Sequence, residues 1–396
     1  MSAATGNRRC GAMSGTGRTG PTLPARQRPA DGRLRRTSGR QGPQAGSQEG
    51  CRVKDGCVLV EMSDGSEAIV PRGLVYVTDA EPGITRRRCG RGFVFRGPDG
   101  RLLDRAERAR ILRLGVPPAY EKVWICPLEN GHLQATGFDA RGRKQYRYHP
   151  DWGSWRSQAK YALLPAFGEA LPRLRRRVAR DLKAEAGELA FSLAALTMLI
   201  DRTFLRVGSS AYAEENKTFG ATTLLARHVK LKDGEVRLDF RAKGGKRVRQ
   251  VLKDRRLHRI LQEIEDLPGR NLFTWIDEES QVRRVASHHV NDYLAEATGL
   301  AGASAKTFRT WGGSLAAFAV ARATEGKLTV KMMAEGAAER LHNTPTISRT
   351  SYIHPRILGL ADLNPDERLA QLEAVQPADL PDLRSDERRM LGFLLG

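Results

Sequence analysis

The sequence has no apolar run approaching the ~18 residues that a membrane-spanning helix needs. It also has no basic start followed by an apolar core of the kind that marks a secretion signal, so a soluble, cytoplasmic protein is expected. No GxxxxGK[ST] loop is present to cradle a nucleotide's phosphates, which argues against ATP as a driving cofactor. Acidic clusters and His/Cys sets with ligand spacing are missing too, and with them the basis for a metal-dependent reaction. The adjacent His288 and His289 read as helix surface. Cysteine is scarce: Cys10, Cys51, Cys57, Cys89 and Cys126 are odd in number and show no CxxC spacing, so they read as reduced thiols. No internal repeat is visible.

What the chain does have is positive charge. Its 396 residues carry 66 Lys plus Arg against 45 Asp plus Glu, a net charge of +21. A polyanion is the default partner of such a surface. Many of the cations are Arg, whose planar fork grips phosphate oxygens in pairs. Nucleic acid is therefore the first expected partner and an anionic membrane the second; double-stranded DNA in particular is what the resemblance given below implies.

Read in order, the chain predicts an α+β protein. Residues 1–61, rich in Gly, Ser, Arg, Pro and Gln, are expected to be a disordered basic leader. Residues 62–155 read as a β-rich, DNA-binding domain. GFVFRGPDGRLL suggests a hairpin around Pro98-Asp99-Gly100, RAERARILRLG a short helix, and KVWICPL, HLQATGFD and KQYRYH three further strands. On the last strand Tyr146 and Tyr148 share one face, opposite Gln145 and Arg147, amid Arg141, Arg143 and Lys144. Aromatics interleaved with cations suit contact with DNA.

Residues 156–357 read as a mainly helical catalytic domain. Leu189, Leu193, Leu196, Leu199, Ile200 and Phe204 recur at helical spacing, and the preceding run Arg173, Arg175, Arg176, Arg177 and Arg180 reads as a solvated face or a backbone clamp. Val229, Leu231, Val236, Leu238 and Phe240 alternate about Asp233-Gly234, and a second turn at Lys243-Gly244-Gly245-Lys246 completes a three-stranded antiparallel sheet. From about residue 255 the chain reads as mostly helical, and residues 358–396 as a closing helical tail.

Near the end, Thr344-Pro345 opens a short helix that leads to Tyr352. A phosphodiester can be cleaved without a metal by an in-line nucleophile, cations on the transition-state oxygens, and an acid for the leaving oxygen. Tyr352, Arg206, Arg309 and Lys243 supply these residue types.

Five stretches together carry a resemblance: VWICPLENGHLQATGFDARGRKQYRYHPDW, FLRVGSSAYAEENKTFGATTLLARHV, FRAKGGK, KTFRTWGGS and NTPTISRTSYIHP. Over roughly residues 75–357 the chain resembles a bacterial type IB DNA topoisomerase of the poxvirus-like branch. The resemblance implies a monomeric isomerase that relaxes positive and negative supercoils through a 3′-phosphotyrosyl intermediate, without ATP or metal. It implies Tyr352 as nucleophile, Arg206 and Arg309 on the non-bridging oxygens, Lys243 as general acid and Lys306 as a supporting cation. Gln145, Tyr146, Tyr148 and Tyr212 match DNA-touching positions of the family, and Arg143 and Lys144 flank them. Where the family pattern often has His, nine residues before the tyrosine, this chain has Asn343, with His342 one place earlier. An amide still donates a hydrogen bond there, though without positive charge. Two other readings remain: a tyrosine recombinase, which commonly shows His-x-x-Arg where this chain has Lys306-x-x-Arg309 and usually has a helical first domain, and a basic DNA-binding protein without activity. Localisation with the nucleoid is expected for the DNA-acting readings.

Overall fold

The computed structural model describes residues 53–54, 57–61 and 67–396, with side chains from Val70 onward. Three short antiparallel strands come first: β1 (Val53–Lys54), β2 (Cys57–Glu61) and β3 (Glu67–Pro71). Most of the expected 1–61 leader lies outside the described residues. Within it, however, β1 and β2 are strands, because Cys57–Glu61 finds a ladder partner in Glu67–Pro71.

A five-stranded antiparallel sheet follows, built from β4 (Ile84–Cys89), β5 (Gly92–Arg96), β6 (Glu121–Ile125), β7 (Leu133–Phe138) and β8 (Lys144–Tyr148) in the order β5-β4-β6-β7-β8. Its main hairpin is β4–β5, turning at Gly90-Arg91. The expected turn at Pro98-Asp99-Gly100 does form, closed by Gly97 N donating to Arg101 O, but its far arm is a single bridge from Arg96 to Leu102. Helix α1 (Arg105–Arg113), capped by the Asp104 carboxylate, lays Ile111 against Ile84, Phe95, Val123 and Ile125 to make this sheet's small core. Strand β8 lies at the sheet edge and carries Tyr146 and Tyr148.

Only His149 separates β8 from α2 (Pro150–Asp181), a 32-residue helix started by Pro150 at its first turn. The expected domain boundary at 155/156 therefore falls inside one continuous helix. Next come α3 (Leu189–Thr203), buried on nearly every side, and the short α4 (Ser210–Asn216). Strands β9 (Val229–Lys232), β10 (Glu235–Arg241) and β11 (Arg247–Lys253) form the expected three-stranded sheet. Its first turn puts Asp233 and Gly234 at φ 52° and 76°, the paired left-handed conformation that a two-residue hairpin demands. Along β10, Val236, Leu238 and Phe240 point into the core and the residues between them face out.

Helix α5 (Arg255–Glu265) follows, and then a small hairpin, β12 (Thr274–Ile276) with β13 (Val282–Arg284), where the sequence pattern indicated helix. The remaining elements are α6 (Ser287–Thr298), α7 (Ala305–Ala323), α8 (Val330–Leu341), α9 (Pro345–Ser351), α10 (Pro355–Leu358), α11 (Pro365–Glu373) and α12 (Ser385–Leu395). One apolar core joins α2, α3, α7 and α12 through Phe167, Phe191, Phe308, Trp311 and Leu391. The C-terminal helix is thus part of that core.

The arginine run on α2 is in part a solvated face, with Arg173, Arg176 and Arg180 exposed, but its guanidinium groups are tied to other parts of the fold. Arg175 bonds Asp201 on α3 at 2.9 Å and Glu387 on α12 at 2.8 Å. Arg177 takes Asp181 and Glu296, Arg176 takes Asp382, and Arg173 donates to the carbonyls of Ala297 and Thr298 that end α6. Burial raises the Glu387 carboxyl, but Arg175, with help from Arg384, more than reverses it, and the net shift is downward.

Candidate active site

Tyr352 is positioned through its own main chain. Thr344 caps α9 by accepting from Ile347 N, Pro345 sets the first helical φ, and Tyr352 ends the helix with its N–H donating to Ser348 O at 3.0 Å. On α7, Ser314 Oγ donates to the Tyr352 carbonyl at 3.4 Å and accepts from His354 N at 3.0 Å. Ile353 is fully buried between them. From α2, the Lys160 ammonium donates to Ser351 O at 2.9 Å. The phenol, half-buried, is left facing a cleft.

Arg309 is the most deeply set cation of that cleft, with 3% of its surface exposed. Phe204 stops α3 in the left-handed region, at φ 54°, and so turns its carbonyl toward Arg309, whose Nη1 donates to it at 2.6 Å. Nη2 donates to Leu341 O at 3.2 Å, while Nε has no hydrogen-bond partner. The guanidinium carbon lies 4.8 Å from the centre of the Tyr352 ring. Burial, aided by the nearby charge of Arg206, lowers the Arg309 pKa to about 10. Burial pushes the Tyr352 phenol up, but Arg309 (by its charge and a hydrogen bond), Arg206 and Lys306 outweigh it and hold the hydroxyl below the ordinary tyrosine range.

Arg206 Nη2 donates to Asn343 Oδ1 at 3.0 Å. Asn343 is 6% exposed, and its Nδ2, buried and aimed at no protein acceptor, is a spare donor. Its carbonyl accepts from Lys246, and its own N–H donates to Ala338 O at 2.9 Å, closing α8. His342 occupies the left-handed position of that closure, at φ 49°. Burial and then the charges of Lys246, Arg309, Arg340 and Arg206 lower the His342 pKa, so its ring is neutral near pH 7.

Arg206, Tyr212, Lys243, Lys306, Arg309 and Tyr352 line one cleft of about 410 Å³. The structure therefore brings together side chains from α4, α7, the loop after α3, the β10–β11 turn and the end of α9. Lys243 and Lys306 are exposed at this cleft.

The residues expected to touch DNA on the first domain sit apart from the cleft's lining, on and beside β8. The Tyr146 and Tyr148 rings stack 6.1 Å apart and are 49% and 45% exposed. Arg143, Lys144 and Gln145 are all held by carboxylates. Arg143 pairs with Asp139 at 2.6 Å, Gln145 Nε2 donates to Asp139 at 2.9 Å, and Lys144 pairs with Asp79 at 2.5 Å. The Arg143 guanidinium holds the Asp139 carboxyl down at about 2. Arg143 also lies within electrostatic reach of Tyr212 and Glu215 on α4.

Sequence reasoning missed Lys160, Lys246, Gly313 and Ser314. Lys246 and the Gly313-Ser314 pair lay in quoted motifs without an assigned role. Lys160 had no sequence signal, because its partner, the Ser351 carbonyl, is brought to it only by tertiary folding. Burial, then the charge of Lys306, pulls the Lys160 pKa down to about 8. Among the described residues no three His, Cys, Asp or Glu side chains stand where they could share a metal ion, and no helix is long and apolar enough to cross a membrane.

Comparison with known proteins places this architecture. The family described as "Eukaryotic DNA topoisomerase I, catalytic core" matches residues 150–344, and "Bacterial DNA topoisomerase IB, N-terminal domain" matches residues 92–139. The DNA topoisomerase 1B of Acanthamoeba polyphaga mimivirus is 28% identical over 299 residues, 72% of this chain and 89% of that protein. The DNA topoisomerase 1B of vaccinia virus (strain Copenhagen) and the DNA topoisomerase I of Monkeypox virus are each 23% identical over 248 residues, 60% of this chain and 75% of theirs. These matches, spanning the β-rich first part and the helical second part, place the protein among enzymes of the DNA topoisomerase class. Within that class its similarity is to the type IB DNA topoisomerases, with an N-terminal domain similar to the bacterial kind. The catalytic-core match ends before Tyr352, so the case for that residue is carried by the geometry.

Proposed function

We propose that the protein relaxes positive and negative supercoils by cutting one strand of duplex DNA with Tyr352, allowing rotation, and resealing. The Tyr352 oxygen attacks the scissile phosphorus as its hydroxyl proton passes to water. The new bond is a 3′-phosphotyrosyl ester, and the bond that breaks is the one to the 5′ oxygen. Arg206 and Arg309 bind the non-bridging oxygens as negative charge builds on them. Asn343 Nδ2 adds a neutral donor to the same oxygens. Lys243, on a two-glycine turn that gives its ammonium freedom, passes a proton to the departing 5′ oxygen, and Lys306 adds charge beside the leaving group. Resealing is the reverse: the 5′ hydroxyl attacks the phosphotyrosyl phosphorus and Tyr352 leaves. The ester stores the energy of the broken bond, so no nucleotide is consumed.

DNA is gripped by the exposed Tyr146 and Tyr148 with Gln145, Arg143 and Lys144 on one side and by Tyr212 on the other, and one chain suffices. The single observation that carries this reading is the convergence of Arg206, Lys243, Lys306 and Arg309 on the one cleft that the half-buried Tyr352 phenol lines. The deciding experiment is a suicide duplex from which the 5′ strand is lost after cleavage. The wild-type protein traps a covalent complex that peptide mapping assigns to Tyr352 at a 3′ end. Tyr352→Phe binds the duplex but forms no adduct and leaves plasmid supercoils intact. Relaxation by Tyr352→Phe rejects the assignment.

A further inference from the structure

Helix α2 contacts the nucleophile's segment on both sides, once at the main chain and once at a side chain. Lys160 donates to Ser351 O, the carbonyl of the peptide bond that carries Tyr352 N. The next residue, Tyr161, is buried and packs its ring edge against His354 with centroids 5.4 Å apart. The two contacts straddle Tyr352. Lys160 stands with its ammonium 4.0 Å from the Tyr161 ring centre and within the field of Lys306. It is half-buried, and its hydrogen bond to protein goes to the nucleophile's own segment.

The other end of α2 explains why this grip sits there. The helix begins one residue after β8, whose Tyr146 and Tyr148 are the exposed aromatics of the first domain. Four residues past Tyr161, Pro165 lacks the N–H that the Tyr161 carbonyl would otherwise accept, which weakens the helix at that point. About three turns of helix, from Pro150 to Tyr161, thus form a stiff arm with the DNA-facing strand at one end, the tyrosine segment near the other, and a softened joint beyond it.

We propose that Lys160 is a positioning residue for strand cleavage: through the Ser351 carbonyl it fixes the reach of the Tyr352 hydroxyl and transmits to it the seating of β8 on DNA. The inference rests on the topoisomerase reading of the cleft, but one of its tests does not.

In the DNA-free protein, hydrogen exchange of the Ser351–Ile353 amides reads the tether without any reaction. Lys160→Met, which keeps the stem and removes the donor, speeds that exchange, while Lys160→Arg restores much of the protection. On a suicide duplex, the single-turnover cleavage rate of Lys160→Met falls on the order of 10- to 100-fold, as expected for a nucleophile displaced by a fraction of an ångström. Affinity, measured in a Tyr352→Phe background, changes by less than about threefold, and Lys160→Arg recovers most of the rate. Unchanged exchange in Lys160→Met, or a loss confined to affinity, overturns the proposal. If wild-type protein forms no adduct, the functional reading fails by itself, and the exchange result still decides whether the tether exists.

Discussion

The sharpest test of how Tyr352 is placed is a single methyl group at Gly313. A Cβ there stands 2.6 Å from Tyr352 O, 3.0 Å from Tyr352 Cβ and 3.0 Å from Leu341 Cδ1. Ordinary contact begins at 3.4 Å, so one side must yield by about 0.8 Å, the difference between 3.4 and 2.6 Å. Neither side is soft. Helix α7 holds Arg309 and the fully buried Trp311, and the Tyr352 segment is pinned by Ser314, Lys160 and Ile353. Overpacking of this kind costs ~1–3 kcal/mol of stability, which the fold can bear. The tyrosine segment, joined to short helices, moves more readily than α7, and a nucleophile displaced by nearly 1 Å loses on the order of 10²-fold in rate. Gly313→Ala should therefore cleave a suicide duplex about 100-fold more slowly than wild type, with duplex affinity held and a thermal midpoint lowered by a few degrees. A folded Gly313→Ala protein that cleaves within about threefold of wild type refutes the close-approach argument and with it the claim that α7 sets the hydroxyl's position.

Other expectations follow from the same geometry. Lys243→Ala should slow cleavage of ordinary DNA by on the order of 10²-fold or more, the usual share of a general acid. A duplex with sulfur in place of the 5′ bridging oxygen needs little protonation and should recover much of that rate, and absence of rescue removes Lys243 from the role. The logarithm of duplex affinity should fall linearly and steeply with the logarithm of salt, since each phosphate neutralised contributes about −0.9 to the slope; a flat response contradicts a basic grip. Glu387 is a stability element, not a chemical one. Because its folded pKa lies below the ordinary 4.5, its contribution is fully present above that value and disappears as the pH falls through the lower folded pKa. Melting-temperature scans should show wild type losing stability faster than Glu387→Gln below about pH 4.5, with the variant already weaker at neutral pH by roughly 1–3 kcal/mol.

The parts of this protein that were legible in the sequence are those whose cause is local. Asp233-Gly234 dictates its hairpin by backbone conformation, Val236, Leu238 and Phe240 mark an inward face by period two, and α3 declares itself by apolar spacing. Tyr352, Arg206, Arg309 and Lys243 stood in recognisable motifs, and the fold gathers them into one cleft. What escaped notice depends on partners far away in the chain. Whether Arg175 is solvated or buried is decided by Asp201 and by Glu387, 212 residues away. Lys144 looks like a free cation until Asp79 is seen beside it. Lys160 matters only because folding delivers the Ser351 carbonyl to its ammonium. The β12–β13 hairpin has three-residue arms, too short for any period to show.

The Asn343 position shows how the surroundings of a site can make a substitution mild. From sequence alone, an asparagine where relatives often carry histidine reads as a lost positive charge. The environment of the neighbouring His342 indicates otherwise. There, burial and then the charges of Lys246, Arg309, Arg340 and Arg206 lower the imidazole pKa, and Asn343 lies in the same field with its side chain against Arg206. An imidazole at position 343 would also be driven toward its neutral form at pH 7, where it still offers one N–H donor against the two of the Asn343 amide. Asn343→His should then keep cleavage within about tenfold of wild type at pH 7.5, because a neutral N–H donor is kept and no charge is added. Asn343→Ala, which removes the donor and leaves Arg206 without its acceptor, should lose on the order of 10²-fold. Single-turnover rates for both variants between pH 6 and 9 decide the matter. If Asn343→His gains rate as the pH drops toward 6, an imidazolium is being formed in the cleft and the electrostatic argument is wrong.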